Sequence, residues 1–501
     1  MSCCDNGSCG KLPAAGLDGV AAQIKKQFEE ATQPSEEEER VVIPVAKTIS
    51  QETFDEVVQE NVEEFDMTVE EAFKDAVEQF HNQGVYLDSL STTVELKDSS
   101  AKIKILFQQF DELLKDPAVG NETIGTSMQE LLSQVSRSHP ERVGAGKDGA
   151  VGAASYVCKK YMDDVNLVVG GLNLLEELFK SFENKEILPL LGAEAIVEAL
   201  QTYPDNARVQ IACFATVMQA CAKYEPNKRT FKELEINPRL VYSLKHPSSN
   251  DAFVSACKFL RIYLSDDDRR PGIHPGTFLR ARELGENYNI GVVKPLVDFL
   301  SQEEILGDID LVRMGLSTLK VVAVNDLICK HIANKGALTQ SLMCFEAHIS
   351  DENIAVTSCS LLKTVARNDD IKRIVGKGAG LGLVLRALEE HHTSWRVAEQ
   401  ALACLSSLCL RQPENCELIA GLGCLPMIAS SMGTHPDIAS VQRCGISTFR
   451  NMVSSWQNKD LCILILDEGA ERLIRDARVK HSICDEVAYA ALRDLGLPYE
   501  M

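Results

Sequence analysis

After residue 100, apolar positions recur with the 3.6-residue period of an α-helix, and the strict alternation of a strand never persists. A second, longer period overlies the first. An apolar residue, two variable residues and a closing apolar or small residue end an amphipathic stretch at Leu175–Leu178, Met218–Cys221, Leu260–Tyr263, Leu319–Val322, Leu362–Val365, Leu405–Leu408, Phe449–Met452 and Leu492–Leu495. Their starts lie 43, 42, 59, 43, 43, 44 and 43 residues apart. One such tetrapeptide carries almost no information, but six intervals agreeing within two residues define an internal repeat. Leu132–Val135, 43 residues before the first, reads as a degraded further copy. The long interval exceeds the period by about 16 residues, and the excess begins at Asp266-Asp267-Asp268, which predicts an inserted loop at about 266–288.

The sharpest unit, 414–453, shows the internal layout. Glu414–Ile419 makes a short first helix, and Gly421 and Gly423 turn the chain. Pro426 falls in the first turn of a second helix, where its missing N–H has no partner to lose. His435-Pro436-Asp437 ends that helix. A third helix then carries Val441, Cys444, Gly445, Thr448, Phe449 and Met452 inward. Gly336, Gly378 and Gly469 occupy the place of Gly423 in neighbouring units. A period of about 40–47 residues with three helices per unit predicts an all-α chain, an armadillo-type helical solenoid over 100–496.

Charge changes the picture at the N-terminus. The chain has 51 Lys+Arg and 73 Asp+Glu, a formal charge of −22. Residues 1–100 hold 22 of the acids and 7 of the bases. Residues 1–45, with the run Glu36-Glu37-Glu38-Glu39, are too poor in apolar side chains to offset the entropy of ordering and predict a disordered tail. Over 46–90 two acidic amphipathic helices are expected. Phe54, Val57, Val58, Val62 and Phe65 mark one stripe; Val69, Ala72, Phe73, Ala76, Val77 and Phe80 mark the other. Thr68 and Glu71 fit a capping box, and Gly84 fits a helix stop.

The acidic balance argues against nucleic acid as partner, and no apolar run reaches the roughly 18 residues of a membrane span. Seventeen cysteines, mostly inside apolar helical stripes, read as reduced thiols of the cytoplasm or nucleus. Cys3, Cys4 and Cys9 have no fourth ligand beside them, and Asp266–Asp268 reads as a solvated loop start, so no metal site is expected. No P-loop, HExxH, GxSxG or post-strand GxGxxG motif is present, and the glycines at 376, 378, 380 and 382 fall at an interhelix turn. Neither an enzyme nor a cofactor is expected.

Two stretches carry a family resemblance. Gln51-Glu52-Thr53-Phe54-Asp55, Glu63-Glu64-Phe65 and Glu70-Glu71-Ala72 through Glu78-Gln79-Phe80 resemble the start of the armadillo repeat-containing protein 6 family. Leu466-Asp467-Glu468-Gly469-Ala470-Glu471 and Ala490-Ala491-Leu492-Arg493-Asp494-Leu495-Gly496 resemble its end. The likeness runs over about 46–496. It implies an armadillo solenoid without recognised enzymatic activity.

In such arrays the third helices line the concave surface, so the two variable residues of each tetrapeptide lie at or beside it. The first of them reads Glu176, Gln219, Arg261, Lys320, Lys363, Ser406, Arg450, Arg493. Stacked repeats turn equivalent positions into a line, and these cations would favour an acidic extended segment. Arg261, Lys320, Lys363, Arg450, Asn451 and Arg493 are therefore the candidate partner-binding residues. Asn451 is a lone Asn at the second variable position, and Trp395 and Trp456 are out of register with it, which disfavours a receptor for basic import signals. The expected function is a scaffold binding a protein or peptide segment in the groove. The alternative is a regulatory or assembly-chaperone subunit acting through the acidic N-terminal helices and the insertion. An intramolecular contact between the acidic residues 29–80 and the basic line is a further expectation.

Overall fold

The computed structural model describes residues 47–49, 53–54, 57–58, 69–82, 85–86, 94–286, 291–334, 336–455 and 458–499. The chain divides into two compact units, 1–97 and 98–501. In the first unit, Phe54, Val58, Ala72, Ala76, Phe80 and Val85 form a small core. The Phe54 and Phe80 rings lie 5.9 Å apart. Helix Val69–Asn82 turns its apolar stripe into that core and leaves Lys74, Glu78 and Gln79 exposed. Lys47–Thr48 pairs in parallel with Val85–Tyr86, a two-residue bridge that helical periodicity does not announce. The tail 1–45, Thr68, the Glu71 side chain, Gly84 and most of the first stripe lie outside the described residues.

The second unit is an armadillo-type solenoid. Helices Val94–Lys115 and Asn121–Val135 lead into eight helical triplets among the described residues. The third helices are Val165–Leu178, Ala207–Cys221, Asn250–Tyr263, Ile309–Val322, Glu352–Val365, Trp395–Cys409, Ala439–Val453 and Asp485–Asp494, and each packs on the next. Every recurring tetrapeptide of the sequence closes one of them. Its first residue is fully buried in each repeat from Leu260 to Leu492. Fully burying a leucine such as Leu405 stabilises by about 1.5–3 kcal/mol.

Side-chain caps start these inner helices with the same period. Asp164, Asn206, Ser249, Asp308, Asp351 and Ser394 each accept a backbone N–H of the first turn. Each such cap is worth about 1 kcal/mol. Gly336, Gly423 and Gly469 turn the first helix into the second at φ 78°, 73° and 75°, a region glycine enters without strain, whereas Gly378 holds the place with extended backbone.

Three polar columns cross-link the triplets. Asn184, Asn227 and Asn415 each donate to the last-turn carbonyl of the inner helix before them (Leu178, Ala220, Leu408) and to a first-helix carbonyl one repeat back (Arg142, Lys185, Lys372). Lys185, Lys228 and Lys372 reach forward to the carbonyls of Ala222, Ser265 and Leu410 just past the next inner helix, where a cation suits the negative end of the helix dipole. His348, His391, His435 and His481 donate through Nε2 to the carbonyls of Leu306, Ile349, His392 and Pro436, again one repeat back.

Of the insertion in the fourth triplet, 287 and 288 lie outside the described residues, 266–276 are irregular, and Thr277–Glu286, expected as part of the loop, is a helix. Its Ala281 and Leu284 are buried, and Arg280 is held by Glu225 through bonds of 2.7 and 3.0 Å. The Asp triplet is engaged by the protein's own groups. Asp267 pairs with the buried Lys228 and accepts the Lys223 N–H, and Asp268 accepts Arg270 and the Glu225 N–H. The Arg270 guanidinium lies 5.2 Å from the Phe182 ring and 4.4 Å from that of Tyr224, so the insertion is fastened across neighbouring repeats.

Candidate functional site

The third helices alternate a buried face with a face left exposed or half-buried. In Asn250–Tyr263, the buried residues Phe253, Ala256, Cys257 and Leu260 leave Lys258 and Arg261 outward. In Ile309–Val322 and Glu352–Val365 the same periodicity leaves Lys320 exposed and Lys363 half-buried. These three helices are successive neighbours, and stacked helices lie about 8–10 Å apart. Arg261, Lys320 and Lys363 therefore form a short row of positive charge.

Among the described residues, no carboxylate lies within ion-pair distance of Arg261, Lys320 or Lys363, nor of Lys258. Lys363 Nζ donates to Gln400 Oε1 at 2.8 Å, and Arg261 Nη1 sits 3.9 Å from Met314 Sδ. Although Lys320 reaches solvent, partial desolvation by its neighbours pushes its ammonium below the ordinary pKa of 10.5, and the charges of Lys363 and Arg261 push it the same way. Beside the row, Val254, Ile262, Met314, Val321 and Val356 are partly buried and give the floor an apolar component.

The row then breaks. Ser406 replaces the cation, and the next two members share one counter-charge. Arg450 Nε lies 3.3 Å from Asp494 Oδ2, while Arg493 donates to Asp494 Oδ1 at 3.0 and 2.8 Å. Asn451 uses its amide to donate to the Ser406 carbonyl and hydroxyl at 3.0 Å, so its donor is spent within the solenoid. The structure thus brings Arg261, Lys320 and Lys363 together as one group and Arg450 and Arg493 as another. At the N-terminal end the line is acidic. Glu177 is bound by Arg142 and Lys180, and burial raises the pKa of Glu176.

Reasoning on the tetrapeptides alone missed cations earlier on the same helices, two to three turns before the variable positions. Arg313 pairs with Asp310, Arg396 with Glu352 at 3.4 Å, and Arg443 stands without an ion partner among the described residues. Trp395 opens an inner helix and is 45% exposed; Trp456 lies outside the described residues. The described residues hold no group of three His, Cys, Asp or Glu side chains placed to bind a metal ion, and no single helix long and apolar enough to cross a membrane. Cys3, Cys4 and Cys9 lie outside the described residues. The described cysteines are free thiols; burial pushes those of Cys158, Cys221 and Cys404 up to about 12, which makes them inert.

Comparison with known proteins agrees with this architecture. An engineered protein of known structure superposes with a TM-score of 0.53 at 14% identity, covering 79% of this chain and 99% of its own. A chain from a structure of the cadherin and beta-catenin interaction superposes with a TM-score of 0.54 at 14% identity, covering 76% and 69%. Both show the fold. Residues 46–105 match the N-terminal domain family of armadillo repeat-containing protein 6. The Drosophila melanogaster homolog of that protein is 26% identical over 385 residues, covering 74% of this chain and 79% of its own. The human protein is 30% identical over 390 residues, which span 75% of this chain and 76% of the relative. The chain belongs to the armadillo repeat-containing protein 6 family.

Proposed function

We propose that this chain is a non-enzymatic interaction scaffold that takes an acidic, extended segment of a protein partner along its concave face. The observation that carries the reading is the row Arg261, Lys320, Lys363: three cations on adjacent inner helices, without a carboxylate partner among the described residues. Like charges gathered without a counter-ion cost energy that a bound carboxylate recovers. The apolar floor beside them favours a segment that mixes acids with hydrophobic residues. Buried free thiols suit a reducing compartment, the cytoplasm or nucleus.

The insertion supports a second reading, a regulatory or assembly subunit. It is fastened by ion pairs yet presents Phe278 and Leu279 at 55% and 57% exposure. The two readings separate by experiment. A fluorescent peptide of glutamate and leucine is titrated into the full chain by anisotropy. Lys320→Glu/Lys363→Glu is expected to weaken binding at least about tenfold, since like charge facing like charge opposes association. Raising ionic strength from about 0.1 to about 1 M shortens the Debye length from roughly 10 to roughly 3 Å and should weaken the wild-type complex as well. Binding indifferent to both changes would refute the groove reading. Binding lost instead on Phe278→Asp/Leu279→Asp would favour the second.

A further inference from the structure

At the C-terminal end of the groove, Arg443, Ser447, Arg450, Glu486, Tyr489 and Arg493 line a cleft of about 510 Å³ between helices Ala439–Val453 and Asp485–Asp494. Arginine supplies all three cations here, whereas the central row is mostly lysine. The distinction matters, because a guanidinium offers a planar fork that fits an oxyanion two bonds at a time. Negative charge stands at the cleft as well: Glu486 is in its lining, and Asp494, outside the lining, is bound to two of its arginines. Asp494, its side chain 17% exposed, is held by Arg450 at 3.3 Å and by Arg493 at 2.8 Å. Arg443 has no carboxylate within ion-pair distance among the described residues.

We infer that this cleft recognises a phosphorylated side chain on the acidic partner segment. The inference rests on the groove being the binding face and adds a chemical class at one end of it. Asp494 already offers Arg450 and Arg493 a carboxylate that costs no association entropy. A glutamate or aspartate arriving from a partner replaces like with like and gains little. A phosphate monoester carries about −1.5 to −2 charge at neutral pH and three acceptor oxygens, so it can bind both forks and Arg443 together. Asp494 therefore acts as a threshold that a monocarboxylate does not pass. Three guanidiniums against Glu486 and Asp494 leave one net positive charge, too little to hold a nucleic-acid backbone by electrostatics alone. Tyr489 and Ser447 add hydroxyls that can donate to the same oxygens.

The test uses the full chain and three capped peptides of one acidic sequence, carrying phosphoserine, glutamate or serine at the central position. Wild type is expected to bind the phosphoserine form at least about tenfold tighter than the glutamate form. Arg443→Gln and Arg493→Gln, both at exposed side chains, should each erase most of that preference. Asp494→Asn should raise affinity for the glutamate peptide and so narrow the gap from the other side. Equal affinity for the phosphoserine and glutamate peptides would overturn the inference, as would a preference untouched by the arginine variants. A single-stranded oligonucleotide binding as tightly as the phosphopeptide would overturn it too. If the glutamate peptide still depends on Lys320 and Lys363 while the phosphoserine preference is absent, the groove reading stands and only this inference fails. If no acidic peptide binds, both fail.

Discussion

The insertion is secured by a buried ion pair, and breaking it on one side has a calculable consequence. Arg280 and Glu225 meet at 2.7 and 3.0 Å with side chains 1% and 2% exposed. Arg280 also donates to the Tyr263 carbonyl at 2.8 Å, and the Gly276 N–H donates to Glu225 at 2.8 Å. Arg280→Met keeps the volume and removes the charge. Glu225 then keeps only the Gly276 N–H, Lys228 nearby and the half-exposed Arg229 at 3.7 Å. Removing one partner of a buried pair costs about 3–5 kcal/mol. Because repeats contact only their neighbours, the loss is local, and about 3 kcal/mol corresponds to a drop of roughly 150-fold in hydrogen-exchange protection. Exchange mass spectrometry should find that loss in the backbone over 222–286 and little change beyond residue 350. Glu225→Met/Arg280→Met, with no charge left to strand, should recover most of the protection. A single variant that loses less than about fivefold, or a double variant no better than the single, would show that the pair does not hold the insertion.

Other consequences follow from the same contacts. Asn415→Ala should cost about 1–3 kcal/mol in urea unfolding, because the Lys372 and Leu408 carbonyls lose their donor. Gly376→Ala should destabilise comparably, since its Cβ would lie 2.3 Å from Asn415 Oδ1. Burial pushes the Glu225 carboxyl up, but the bonds from Arg280 and Gly276 and the charges of Arg280 and Lys228 outweigh it; the Arg270 bond holds Asp268 well below the ordinary carboxylate range. Carboxyls depressed on folding contribute stability that is complete above their unfolded values of about 3.9–4.3 and lost as pH falls through the folded ones. The melting temperature should therefore hold above about pH 5 and fall below about pH 4; a flat profile to pH 3 would contradict the pairing. Lys363→Gln should move the Lys320 pKa up toward 10.5, read by pH-dependent amine labelling, because a like charge is removed from its side.

The repeat and the three-helix unit are legible in the sequence because all but one of the tetrapeptides (Met218 is half-buried) bury their first residue, so Leu175, Leu260 and Leu405 are constrained alike. The caps and columns follow the same period. His348, His391, His435 and His481 are 43, 44 and 46 residues apart, yet histidines taken one by one read as scattered loop ends. Asn184 and Asn227 could have been found in the same way. The pairing of Arg450 and Arg493 through Asp494 was not legible, because it depends on which rotamers meet between two helices 44 residues apart. Nothing local in the sequence marks Lys228 and Arg280 as fully buried, since their partners Asp267 and Glu225 lie far along the chain. The helix at 277–286 was hidden by the Pro- and Gly-rich stretch just before it.

The central claim is that an acidic segment lies against the inner helices. The most direct measurement places a photoreactive phenylalanine analogue in the middle of the glutamate and leucine peptide, irradiates the complex and maps adducts by mass spectrometry. Adducts are expected on 254–262, 314–321 and 356–364, the faces that carry Arg261, Lys320 and Lys363. Adducts confined to the outer second helices, such as Ala337–Ala347 or Ala379–Glu390, would contradict it.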